Sequence, residues 1–148
     1  MTQGRIDLKI VADRLEIVTT CVEALRRLPS GSFQAFEADW RNAAAADSLL
    51  RRAIEGLFDA ARHVLAKAFG LGPLEYREVA RLAAEKGLVT EPGLQSRLRE
   101  IAGFRNRLTH FYDEVTAEEI FGVARDELGD LEALAGQLRI AATRLAQG

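Results

Sequence analysis

The sequence predicts an all-α protein, an up-and-down bundle of four long helices with one extra short helix. Three observations carry this. The chain has only three prolines, Pro29, Pro73 and Pro92, each beside other turn residues, and the long stretches between them contain no breakers. Leu, Ala, Arg and Glu dominate those stretches, and all are good helix formers. No sustained two-residue alternation marks a strand.

The first helix is predicted from Arg5 to Leu28. Leu8, Val11, Leu15, Val18, Val22 and Leu25 recur at spacings of three and four, a narrow stripe that suits a long helix packed nearly parallel to its neighbours. Pro29-Ser30-Gly31-Ser32 then turns the chain. Phe33 to Trp40 is ambiguous and could form a short helix. A second long helix reaches Phe69 with Leu50, Ile54, Leu57, Ala61, Leu65 and Ala68 on its buried face, stopped by Gly70 and Gly72-Pro73. Glu75 to Lys86 reads as a shorter amphipathic helix, with Val79, Leu82 and Ala83 inward and Gly87 just past its end. Another helix is predicted from Gly93 to Thr109. The last, from Ala117 to Ala146, starts at a capping box of Thr116 with Glu119 and carries the stripe Ala124, Leu128, Leu131, Ala135, Leu138, Ala142 and Leu145. With no repeat, low-complexity tract or linker, residues 1–148 read as a single domain.

Composition narrows the function classes. A chain of 148 residues can bury roughly 70% of its unfolded surface and needs no staples. Its 20 Lys+Arg against 22 Asp+Glu exclude the blanket basicity of a nucleic-acid coat but leave room for a local basic patch. Cys21 is the single cysteine, so neither an internal disulfide nor a cysteine-based zinc cage is possible, and a reducing cytoplasm is the expected compartment. The start MTQGRIDLKI lacks a secretory signature, and no apolar run approaches the roughly 18 residues of a span, so no membrane association is expected. No stretch pairs histidines with acids at ligand spacing, so no metal or other cofactor is expected.

The segment Leu94 to Tyr112 breaks the pattern. Its seam starts with Leu94, Leu98 and Ile101, and the next stripe positions hold Arg105, Leu108 and Tyr112. An arginine thus stands where a core residue belongs, and a buried guanidinium cannot escape its cost by losing a proton. Arg105 must pair with a carboxylate inside the bundle, or face a polar cleft or a partner chain. Asn106, Arg107, Thr109, His110, Tyr112 and Asp113 crowd around it, and His110 is one of two histidines. A helix ending on cationic residues to satisfy the dipole is the plain alternative, and the off-pattern Arg105 argues against it. In a continuous helix Arg105 and His110 stand about 140° apart around the axis. To serve one small target, the helix must fray near Thr109, or two copies must pool their side chains across a two-fold seam.

The string Phe104-Arg105-Asn106-Arg107-Leu108-Thr109-His110-Phe111-Tyr112 resembles the HepT-like members of the HEPN superfamily, whose mark is Arg, four residues, His, one residue, Tyr. Arg52-Ala53-Ile54-Glu55 with the helix through His63, Gly72 to Glu78, Ala84 to Val89, Ala102-Gly103 and Leu128-Gly129-Asp130-Leu131 resemble that family's other segments. The likeness is detailed from about Leu50 to Leu138. Thr109 departs from the aliphatic residue more usual there.

The resemblance implies a HEPN-like all-α homodimer acting as the toxin of a two-gene system. It would be a metal-independent endoribonuclease with its active site at the dimer cleft, restrained by a small nucleotidyltransferase antitoxin that transfers AMP to Tyr112. Arg105 and His110 would be catalytic, the guanidinium stabilising the crowded phosphate and the imidazole moving a proton in 2′-hydroxyl attack. Asn106 and Arg107 would support or bind phosphate. AMP on Tyr112 would fill the cleft and offset the charge of Arg105, being on the same face if the helix continues. The alternative is a non-catalytic, nucleotide-binding or interaction subunit of a transferase complex.

Several residues admit plainer readings. Arg97 and Arg99 either join Arg105 and Arg107 in an RNA-attracting patch or sit on a solvated face with Glu100. Glu55 and Asp59 either pair with Arg105 or are surface acids, the latter favoured. His63 reads as a packed or hydrogen-bonded core residue, Cys21 as a small core residue, and Trp40 as core or interface rather than a base-stacking platform.

Overall fold

The computed structural model describes residues 4–148, all but the Tyr112 side chain. Four long helices, α1 (Leu8–Arg26), α3 (Trp40–Phe69), α5 (Pro92–His110) and α7 (Leu128–Gln147), form the predicted bundle. The described residues add three short helices rather than one: α2 (Phe33–Glu37), α4 (Tyr76–Glu85) and α6 (Ala117–Asp126).

Each start has a local cause. Asp7 accepts from the Lys9 and Ile10 amides, Ser32 from that of Ala35, and Thr116 from that of Glu119 at 3.1 Å, as the capping box predicts. Gly70 ends α3 in the left-handed region at φ 68°, which a side-chain-bearing residue rarely adopts. The stripe of α1 from Val11 to Leu25 packs on Leu50, Ile54, Leu57, Ala61 and Leu65 of α3 in one continuous core, while Leu8 is exposed. The two helices meet so closely at Gly56 that a Cβ there would lie 2.7 Å from the Arg14 carbonyl oxygen.

The predicted final helix, Ala117 to Ala146, is broken at Glu127 (φ −114°, ψ 5°) into α6 and α7. Tertiary anchors on either side explain the bend. The Phe121 ring of α6 packs 5.2 Å from that of Phe36, while the Glu127 carboxylate accepts from Arg97 of α5 at 2.7 Å. Phe36 is the core residue that makes α2 a helix worth forming. Trp40, by contrast, is 78% exposed and is not a core residue. Among the described residues no helix is long and apolar enough to cross a membrane.

Candidate functional site at the end of α5

Helix α5 starts with Pro92 in its first turn, where a missing N–H costs nothing, and buries Leu94, Leu98, Ile101, Ala102 and Leu108. Leu108 confirms the stripe at 1% exposure. Arg105 occupies its register position on the same seam, yet it is only half-buried.

No carboxylate among the described residues pairs with Arg105. Its guanidinium carbon instead lies 4.0 Å from the centroid of the Tyr76 ring, at the start of α4. Tyr76 is 7% exposed and backed by the Phe58 ring at 4.8 Å. Arg62 approaches the same ring at 4.4 Å, while donating to Asp59 and to the Leu74 carbonyl, each at 3.1 Å. Asp59 is therefore engaged by Arg62, and Glu55 is an exposed acid.

The end of α5 does not fray. It runs through His110, with the Phe111 amide bonded to the Arg107 carbonyl at 2.9 Å. The Leu108 carbonyl, otherwise an orphan of the last turn, accepts from Arg51 of α3 at 2.5 Å, and Arg51 is itself paired with Asp47. His110 is exposed on this pinned terminus. Of the two ways to bring Arg105 and His110 to one target, fraying is thus not observed, and the 140° separation stands.

Phe111 leaves the helix at φ −132°, so Tyr112 does not continue the face of Arg105 by helical register. Its backbone opens a short 3-10 turn, and its side chain lies outside the described residues. Asn106 is half-buried and forms no side-chain hydrogen bond among the described residues. Arg107 points the other way and is bound in a fork by both oxygens of Glu119 on α6, at 2.6 and 2.7 Å, which raises its pKa. Arg97 is likewise engaged, by Glu100, Glu127 and Asp130. A hollow of about 380 Å³ lies on this side of α5, with Ile54, Phe104 and Leu131 among its walls, and neither Arg105 nor His110 lines it.

Cys21 and His63 take the places their plainer readings gave them. Cys21 is buried, and burial pushes its thiol pKa up. His63 is half-buried, and its Nε2 accepts from the Asp7 amide at 2.9 Å. Among the described residues no three His, Cys, Asp or Glu side chains converge as a metal site would require. Two residues the sequence did not connect with the motif now stand beside it, Tyr76 and Arg51. Nothing in their spacing announces either contact; Arg51 lies 57 positions from Leu108.

Fold and site together define a helical-bundle protein with an Arg/His helix terminus whose arginine donates no side-chain hydrogen bond among the described residues. The chain belongs to the ribonuclease HepT-like family, whose sequence model matches residues 18–138. That match begins well before Leu50, where the resemblance first became detailed. Among its relatives is the mRNA nuclease HepT of Shewanella oneidensis, 25% identical over 124 residues that make up 83% of this chain and 91% of the relative. A solved tri-AMPylated Shewanella oneidensis HEPN toxin in complex with its MNT antitoxin shares the fold. Its TM-score is 0.77 at 23% identity, with 88% of this chain and 97% of that one covered. A toxin–antitoxin crystal structure with AMP-PNP gives 0.76 at 22% identity, covering 87% and 97%.

Proposed function

We propose that this chain is the toxin of a HEPN/MNT pair, a cytoplasmic homodimer that cuts RNA without a metal. The observation that carries the reading is Arg105: a guanidinium in the Arg-x4-His-x-Tyr motif of a HepT-like chain, half-buried and unclaimed by any described carboxylate. Its planar donors suit the non-bridging phosphate oxygens, and its charge gains most when the phosphorus centre becomes five-coordinate. His110 exchanges the proton, either taking it from the ribose 2′-hydroxyl or giving it to the departing 5′-oxygen. The products are a 2′,3′-cyclic phosphate and a 5′-hydroxyl. Asn106 orients phosphate or imidazole. Arg107 reaches phosphate only by giving up Glu119, so its weight in the reading falls. The dimer supplies a guanidinium from one protomer and an imidazole from the other, and RNA runs along the seam.

Regulation follows from the family. The cognate nucleotidyltransferase moves AMP from ATP onto the Tyr112 oxygen, releasing pyrophosphate, and the added bulk and negative charge close the cleft. That the S. oneidensis toxin was solved tri-AMPylated with its MNT antitoxin supports this.

The test is cleavage of RNA in EDTA by wild type, Arg105→Ala and His110→Ala. Wild type should cut, and both variants should be folded dimers that do not. Undiminished cutting by folded His110→Ala refutes the assigned role.

A further inference from the structure

Tyr76 lies 29 positions from Arg105, on another helix and outside the motif. We propose that it is a positioning residue, holding the Arg105 guanidinium in the attitude in which it meets the phosphate; this rests on the ribonuclease reading above. The ring is a fixed platform. It is buried, Phe58 backs it at 4.8 Å, and the Arg62 guanidinium, itself tied to Asp59 and the Leu74 carbonyl, lies against it at 4.4 Å. Arg105 sits over it at 4.0 Å.

A ring does for this arginine what a carboxylate would not. A carboxylate orients a guanidinium by accepting two of its five N–H groups and cancelling its charge, as Glu119 does to Arg107. An aromatic face attracts the cation through its quadrupole, carries no formal charge and consumes no N–H. Held this way, Arg105 is oriented while its donors and its charge remain available for phosphate. The role belongs to the π face, so phenylalanine should serve and an aliphatic side chain should not.

The experiment compares wild type, Tyr76→Phe, Tyr76→Leu, Tyr76→Met and Arg105→Ala. Steady-state RNA cleavage in EDTA, thermal melting and the Arg105 Nε–H resonance are read for each. Tyr76→Phe should keep the wild-type kcat and the ring-shifted resonance. Tyr76→Leu and Tyr76→Met should lower kcat about tenfold, change KM little and lose the ring shift. Met keeps unbranched bulk in the site, so the comparison survives if Leu melts early. Full kcat in a well-folded Tyr76→Met overturns the proposal, as does equal loss in Tyr76→Phe, which would assign the role to the hydroxyl. The two readings fail separately. If wild type cuts, Arg105→Ala does not and Tyr76→Met cuts fully, only the positioning role is refuted. If folded wild type cuts nothing, the ribonuclease reading falls and this proposal falls with it.

Discussion

Because α5 is unbroken through His110, the angle between its two motif residues becomes a prediction about subunits. Five residues of helix turn the chain by about 500° and advance it about 7.5 Å, leaving the two side chains on well-separated faces. In the proposed homodimer, a phosphate held by Arg105 of one protomer would be served by the partner subunit's His110. Arg105→Ala and His110→Ala, each inactive alone, should therefore complement one another. Unfolded together in equal amounts and refolded, about half the dimers are mixed, and each mixed dimer carries one site with both groups. The expected initial rate, read on a fluorogenic RNA in EDTA, is about one quarter of wild type. A site built within one protomer predicts none, because every subunit lacks one group. Mixing without refolding is the control. No recovery, in a sample where native mass spectrometry shows mixed dimers, would refute the composite site.

Two further outcomes are expected. Arg51→Ala removes the donor that holds the Leu108 carbonyl; the side chain is one-third exposed, so the loss should be about 1 kcal/mol and about 3 °C in Tm. Hydrogen exchange should quicken at Leu108 to Phe111, and unchanged protection there would remove Arg51 as the pin of the terminus. His63 accepts the Asp7 amide at Nε2 and must be neutral to do so; burial, with the nearby Lys67, holds its pKa below the ordinary value against the opposing pull of Asp7. The unfolded chain then binds the proton more readily, so this stability is complete above about pH 6.5 and is lost as pH falls toward the depressed folded value. Urea midpoints at pH 7.5 and 5.5 should fall further for wild type than for His63→Gln, and parallel falls would exclude the linkage.

Helix limits with a local cause were the legible ones: Thr116 caps α6 and Gly70 stops α3 through its own backbone. The first helix, expected from Arg5, begins instead at Leu8 behind the Asp7 cap, and the short α2 capped by Ser32 is ambiguous by sequence. The break at Glu127 was not legible, since no proline or glycine stands at that residue and the bend follows from Phe121 meeting Phe36 and Glu127 meeting Arg97. The exposure of Trp40 was hidden for the same reason, because residue type does not reveal which face a partner covers.

The site shows the limit most sharply. Arg105 and Arg107 stand two residues apart on one helix, and by sequence both are expected to meet phosphate, with Arg105 catalytic and Arg107 in support. Two residues turn the helix by about 200°, so the pair faces nearly opposite sides of α5. On one side Arg107 reaches across to Glu119 of α6; the other side packs on α4 and presents Tyr76. The acid spends its arginine, and the ring holds its arginine without spending it. Register could mark Arg105 as out of place in a core, but its availability for chemistry is decided by the helix that packs against it. That choice is made by the tertiary fold, through residues that no spacing rule links to the motif.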